Sequence, residues 1–126
     1  MKILRIRNPA RGNVVCERCQ LADSMWTRGK GLLGRKSLSD EEGILLVPGS
    51  SIHMFGMKFP IDVIFLTREH RVTDFIENIG PGKHHVARAE AGKPHSALEV
   101  AAGTIARCGV QLGDQLELEE VGSLAG

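Results

Sequence analysis

Pro60-Ile61-Asp62-Val63-Ile64-Phe65-Leu66 is the stretch on which the reading of the fold turns. Apart from Asp62, everything from Ile61 to Leu66 is apolar, and an apolar run of this length reads as a strand buried on both faces. Period-2 alternation puts Asp62 on the face of Ile64 and Leu66. A carboxylate there costs several kcal/mol unless it is paired or hydrogen-bonded. Immediately downstream, Arg71 to Ile76 completes a hairpin around Thr67-Arg68-Glu69-His70, a polar turn without Gly. Farther on, Ala97-Leu98-Glu99-Val100-Ala101 repeats the situation, with Glu99 set in an apolar strand.

Outward from this centre, Ile44-Leu45-Leu46-Val47 is a further buried strand, stopped by Pro48-Gly49. Ile3 to Arg7 and Val14 to Leu21 read as two strands near the start, and Asp114 to Glu119 as the last, with 120–126 a loose tail. His53, Phe55, Met57 and Phe59 alternate with Met54, Gly56 and Lys58, which predicts an extended segment. One short helix is predicted over 24–34, capped by Asp23 or Ser24 and ended by Gly34, and a second over Thr104–Cys108, closed by Gly109. From Asn78 to His95 runs a long segment with a short strand near Val86, of the kind that is functional or mobile in compact domains. Many short strands with two short helices give an α+β class: a single β-rich domain over 1–126, as a mixed sheet or a partly closed small barrel.

Composition bounds the function. The chain has 126 residues, 42% hydrophobic and 25% charged, enough to bury a core without metals or disulfides. Its formal net charge of +1 argues against nucleic-acid binding by phosphate neutralisation. The absence of Tyr, with only 4 Phe and 1 Trp, leaves little for base stacking. No apolar run approaches membrane-spanning length, and the first residues lack the pattern of a secretory signal, so a soluble cytoplasmic protein is expected. Three Cys fit reduced thiols better than a disulfide framework.

The natural partners for Asp62 and Glu99 are Arg28 and Arg35, whose planar guanidinium suits a partly buried carboxylate. Either these groups form salt bridges that tie the first helix to the sheet, or Arg28, Arg35, Asp62 and Glu99 line one polar cleft that receives a ligand. His53 reads first as a half-buried histidine hydrogen-bonded inside the core and, beside Ser50 and Ser51, as the alternative of a proton donor or acceptor for such a cleft. Met57 shares its face, but on a regular strand the two Cα atoms are about 13 Å apart. Only a turn or bulge at Gly56 brings His53 and Met57 to one ion, so no metal is expected there.

Cys16-Glu17-Arg18-Cys19 is a CxxC whose thiols point to opposite faces of a regular strand, which disfavours a shared zinc or a ready disulfide. The basic stretch from Gly82 through Lys83, His84, His85, Arg88, Lys93 and His95 reads as a solvated surface or as a mobile loop that gathers an anion. The Gly29–Arg35 stretch lacks the Gly-Lys-Ser/Thr ending of a phosphate loop, and Ser50 and Ser51 lack a nucleophile elbow, so neither nucleotide hydrolysis nor serine hydrolysis is supported.

Several stretches together resemble a known family. They are Ala22-Asp23-Ser24 with Arg28 to Arg35, Ser50 to Leu66, Leu98 to Thr104, and Gly109 to Leu116 with its Gly113-Asp114. Their order and spacing over about 14–119 are similar to domain of unknown function 192, small bacterial and archaeal proteins, and the His-x-x-x-Met-x-x-Pro-Ile-Asp string carries most of the specificity. The resemblance implies a single compact β-rich domain with short helices and brings no established activity. The family's recurrent positions fall here on Arg28, Gly31, Leu33, Gly34, Arg35, His53, Met57, Pro60, Asp62, Leu98, Glu99, Gly103, Gly113 and Asp114. The Cys16/Cys19 pair lies outside that pattern.

The first expectation is therefore a small binding domain whose cleft is formed by the first helix, the His53–Asp62 segment and the Glu99 strand, with Arg28, Arg35, His53, Met57, Asp62 and Glu99 as candidate ligand-binding residues. Its partner is a small polar ligand or a segment of another protein, without a cofactor, nucleic acid or membrane, in a monomer or weak homodimer. The alternative is an enzyme of undefined class using His53 with Asp62 or Glu99 for proton transfer.

Overall fold

In the structure, a computed structural model describing residues 1–24 and 31–124, the Ile61–Leu66 run is strand β5, buried along its whole length. It follows β1 (Lys2–Asn8), β2 (Asn13–Ala22), β3 (Glu42–Leu46) and β4 (Ser51–His53), and precedes β6 (Val72–Ile79), β7 (His84–Val86), β8 (Ser96–Ala101), helix α1 (Thr104–Cys108) and β9 (Glu117–Ser123). A seven-stranded sheet has the order β6-β5-β8-β3-β2-β1-β9. Only the β2–β3 pairing is parallel, so the sheet is mixed. β6 and β9 lie at opposite edges, which makes it an open sheet and corrects the expectation of a partly closed barrel.

The interior strands carry apolar residues on both faces because both faces are covered. On one side Ile64, Leu66, Leu98 and Val100 pack with Ile6, Val15 and the helix residues Ile105 and Cys108. On the other, Ile61, Val63, Phe65 and Ile44 pack under Ile52 and Met54, which belong to the two-stranded β4–β7 arm and the turn that follows it.

The arm is anchored by a carboxylate. Asp74 Oδ2 lies 2.7 Å from His85 Nε2 and accepts the Arg88 N–H at 2.9 Å. The His85 ring also leans over Phe65, their centroids 5.7 Å apart. The segment from Asn78 to His95 is thus held at close intervals, including Met54 N–H to Lys83 O, Ala87 N–H to Ser50 O, Glu90 N–H to Thr73 O and His95 N–H to Leu66 O.

Three other expectations change. α1 is the only α-helix among the described residues. Most of the helix predicted over 24–34 lies outside them, and its described end is a turn, with Gly34 at φ +86° and the Arg35 N–H on Leu32 O. The segment after His53 is not extended: Met57 N–H bonds Met54 O at 3.1 Å in a turn that Gly56 permits at φ +81°. Residues 120–123 are not a loose tail but the end of β9, paired with β1 as far as Ser123.

Candidate functional site

Register decides where the two strand carboxylates go. Asp62 pairs with Val100 and Val63 with Glu99, so Asp62 and Glu99 occupy opposite faces of the sheet. The expected single cleft containing both does not exist.

On the α1 side, Asp62 is fully buried. Its Oδ2 accepts the N–H groups of Gly103 (3.1 Å) and Ile105 (2.9 Å), and its Oδ1 that of Asn78 (2.8 Å). Gly103 is the N-cap residue of α1 and lacks a side chain to serve as cap, so the carboxylate on β5, the strand beside β8, does that work. Among the described residues its company is backbone amides and not Arg35. Arg35 instead directs Nη2 to both Glu42 oxygens, at 3.1 and 3.0 Å. It lines a neighbouring depression with Arg18 and Glu42, not the one that holds Glu99. Arg28 lies outside the described residues.

On the arm side, Glu99 is 4% exposed, and among the described residues no hydrogen bond or ion pair reaches its carboxyl. It opens into a cleft of about 400 Å³ walled by Leu32, Leu46, Ile52 and Met57, with Ser50, Ser51 and His53 along one side. Phe55, 79% exposed, stands at the cleft with Leu33, itself 42% exposed. Burial pushes the Glu99 carboxyl up to about 7, so at neutral pH it is divided between acid and base forms. The Gly56 turn brings His53 and Met57, far apart on a regular strand, to this same cleft. His53 also stands directly opposite His84 in the β4–β7 ladder.

The CxxC is also rearranged. Leu4 pairs with Cys19 and Ile6 with Cys16, so β2 places one residue more than β1 between the two pairs and carries a bulge there. The extra residue puts both thiols on the α1 face, buried with Leu4 and Ile6, not on opposite faces. Burial pushes the Cys19 thiol up, while contact with Cys19 lowers that of Cys16.

Two carboxylates escaped the sequence reading. Asp74 carries the same signal as Asp62, an acid inside Val72-Thr73-Asp74-Phe75. Asp114 gathers Asn8 Nδ2 (2.9 Å), Arg11 Nη2 (2.9 Å) and the Gln111 N–H (2.9 Å), tying the turn after β1 to the approach to β9. Burial raises its carboxyl, but these bonds outweigh burial and hold it below the ordinary value. Its only sequence signal was Gly113-Asp114 within the family resemblance.

Known proteins share this fold. A UPF0127 protein of Thermococcus sibiricus (strain DSM 12597 / MM 739) is 28% identical over 117 residues, covering 89% of this chain and 73% of its own. The crystal structure of a protein of unknown function from Novosphingobium aromaticivorans DSM 12444 matches with a TM-score of 0.74 and 28% identity, covering 91% of this chain and 83% of that one. A crystal structure of a Sinorhizobium meliloti 1021 protein, 24% identical, shares the fold with a TM-score of 0.75 over 93% of this chain and 92% of its own. The family DUF192, described as "Uncharacterized ACR", matches residues 6–118. A match over nearly the whole length, spanning the Asp62 cap, the Gly56 turn and the Glu99 strand alike, means that the chain belongs to the DUF192 family.

Proposed function

We propose that this protein is a small binding domain whose site is the Glu99 cleft, and that its ligand presents an apolar body together with one hydrogen-bonding head. The observation that carries the reading is a buried carboxyl, Glu99, that lines a cleft and has no hydrogen-bond or ion-pair partner among the described residues. Such a group costs several kcal/mol to bury, and in structural sites it is normally hydrogen-bonded, as Asp62 and Asp74 are. The apolar walls and the exposed Phe55 favour an apolar body; Glu99, Ser50 and Ser51 supply the polar contacts. Among the described residues, the polar side chains that line the cleft are Glu99, Ser50, Ser51 and His53, all able to hydrogen-bond a polar head. A small molecule and an apolar side chain on a partner segment meet the same chemistry.

A second reading rests on the Glu99 value near 7 and on His53 in the same cleft: together they are a proton donor and acceptor placed for general acid–base work. One set of titrations separates the two. Short-chain amides and alcohols are added while backbone NMR signals of Leu32, Ile52, Met57 and Glu99 are followed, in wild type and in Glu99→Gln. Binding predicts clustered shifts that survive in Glu99→Gln within about tenfold, since Gln keeps the hydrogen-bonding head. Shifts scattered over the surface, or unaltered in Glu99→Leu, sink the cleft as a site. Catalysis predicts a compound that is chemically converted by wild type and bound unconverted by Glu99→Gln.

A further inference from the structure

Away from the Glu99 cleft, and sharing none of its lining, a second depression of about 420 Å³ lies between the β5–β6 turn and the loop that leads into β8. Arg68 and Arg71 border it from the turn, and Lys93 and His95 from the loop; Glu69 is the one acid of its lining. Among the described residues none of Arg68, Arg71 and Lys93 has a carboxylate partner. Three cations against one carboxylate leave a local excess of positive charge in a chain whose formal net charge is only +1.

Both walls are held in place. Arg71 donates Nη1 to Gly113 O at 2.8 Å and its backbone N–H to Thr67 Oγ1 at 3.1 Å, which aims the guanidinium before any ligand arrives. The turn is closed by Thr67 N–H on Arg71 O and His70 N–H on Thr67 O, each 2.9 Å. Across from it, Thr73 Oγ1 donates to Gly92 O and accepts the Ala91 N–H, while His95 N–H bonds Leu66 O at 2.8 Å. The basic stretch singled out in the sequence is therefore fixed in this part, and only Lys93 and His95 of it reach the depression. Such pre-positioning lowers the ordering cost that a flexible basic loop meets on binding.

We infer that this depression is an anion site for a small phosphate ester. Guanidinium and ammonium groups bordering one depression suit a phosphate dianion through charge-assisted hydrogen bonds. The volume is in the range of small-ligand pockets and exceeds what a bare phosphate fills, and Ala91 and Pro94 offer apolar contact to an organic body.

The test is titration of the full chain with glycerol phosphate, phenyl phosphate and inorganic phosphate at constant ionic strength, followed residue by residue by NMR. Saturable shifts at Arg68, Arg71 and 91–95, with an ester binding more tightly than inorganic phosphate, are expected. The exposed substitutions Arg68→Gln and Lys93→Gln leave the fold intact and each weaken ester binding about tenfold. Shifts no larger than those from equal chloride, inorganic phosphate binding as tightly as the esters, or affinity unchanged in both variants each overturn the site.

Discussion

At the residue scale, three carboxylates in apolar strands have three fates. Asp62 is surrounded by amides, so removing its oxygens strands the N–H groups of Asn78, Gly103 and Ile105. Asp62→Ala is expected to lower stability by about 3–5 kcal/mol in urea unfolding, and Asp62→Asn by less, since one acceptor oxygen survives. Glu99 behaves in the opposite sense. Its carboxyl lies at about 7 when folded against 4.5 ordinarily. A raised folded value contributes stability that is complete below pH 4.5 and is lost as pH climbs through 7. Unfolding free energy is therefore expected to fall by a few kcal/mol between pH 5 and 8 in wild type. Glu99→Gln, neutral throughout, should remove that slope; a wild-type curve flat over the interval contradicts a partnerless Glu99. Asp74 is the intermediate case, ionised and bound to His85 and Arg88.

At the scale of elements, periodicity made nearly every strand legible, and α1 with its closing Gly109 was read at its observed bounds. What periodicity could not carry was register. Asp62 and Glu99 each stand in a visible strand, but their separation onto two faces depends on Val63 pairing with Glu99, and neither strand encodes its partner locally. The β2 bulge is equally silent, because no Gly or Pro marks Glu17-Arg18, and it inverted the expected placing of the thiols. The turn at Gly56 was signalled by the glycine, yet the alternating apolar residues around it argued for an extended chain.

The bulge also depends on its neighbour in β3. A Cβ on Gly43 would stand 2.9 Å from Cys16 Sγ and 2.8 Å from the Glu99 carbonyl oxygen. Gly43→Ala is expected to cost about 1–3 kcal/mol. Adding Cys16→Ala should recover only the part due to the sulfur, because the clash with backbone remains. A thermal melt of the single and double variants measures both terms. The arm makes a separate prediction: Asp74→Asn should raise amide hydrogen exchange at 51–53 and 84–86 while β5 and β8 keep their protection, since the arm alone loses its anchor.

For the whole molecule, titration bounds stability on both sides. Burial raises the carboxyls of Asp74, Asp114 and Glu42, but their hydrogen bonds, led by those from Arg88, Arg11 and Ser39, prevail and hold all three below their ordinary values. Depressed carboxyls stabilise above the unfolded values of 3.8 and 4.5, and that support disappears as pH falls through the lower folded ones. With Glu99 taking stability away from its unfolded value upward, the pH profile of the melting temperature is expected to be a dome with its top at about pH 4.5–5. Circular dichroism melts at unit pH steps check its shape.

Because the sheet stands between Asp62 and Glu99, chemistry and architecture are insulated from each other. Substitutions that re-tailor the Glu99 side leave the helix cap untouched, so an Asp62→Asn, Glu99→Gln double variant should change stability by the sum of the two separate changes within about 0.5 kcal/mol. The Glu99 face can consequently be altered without renegotiating how the chain folds.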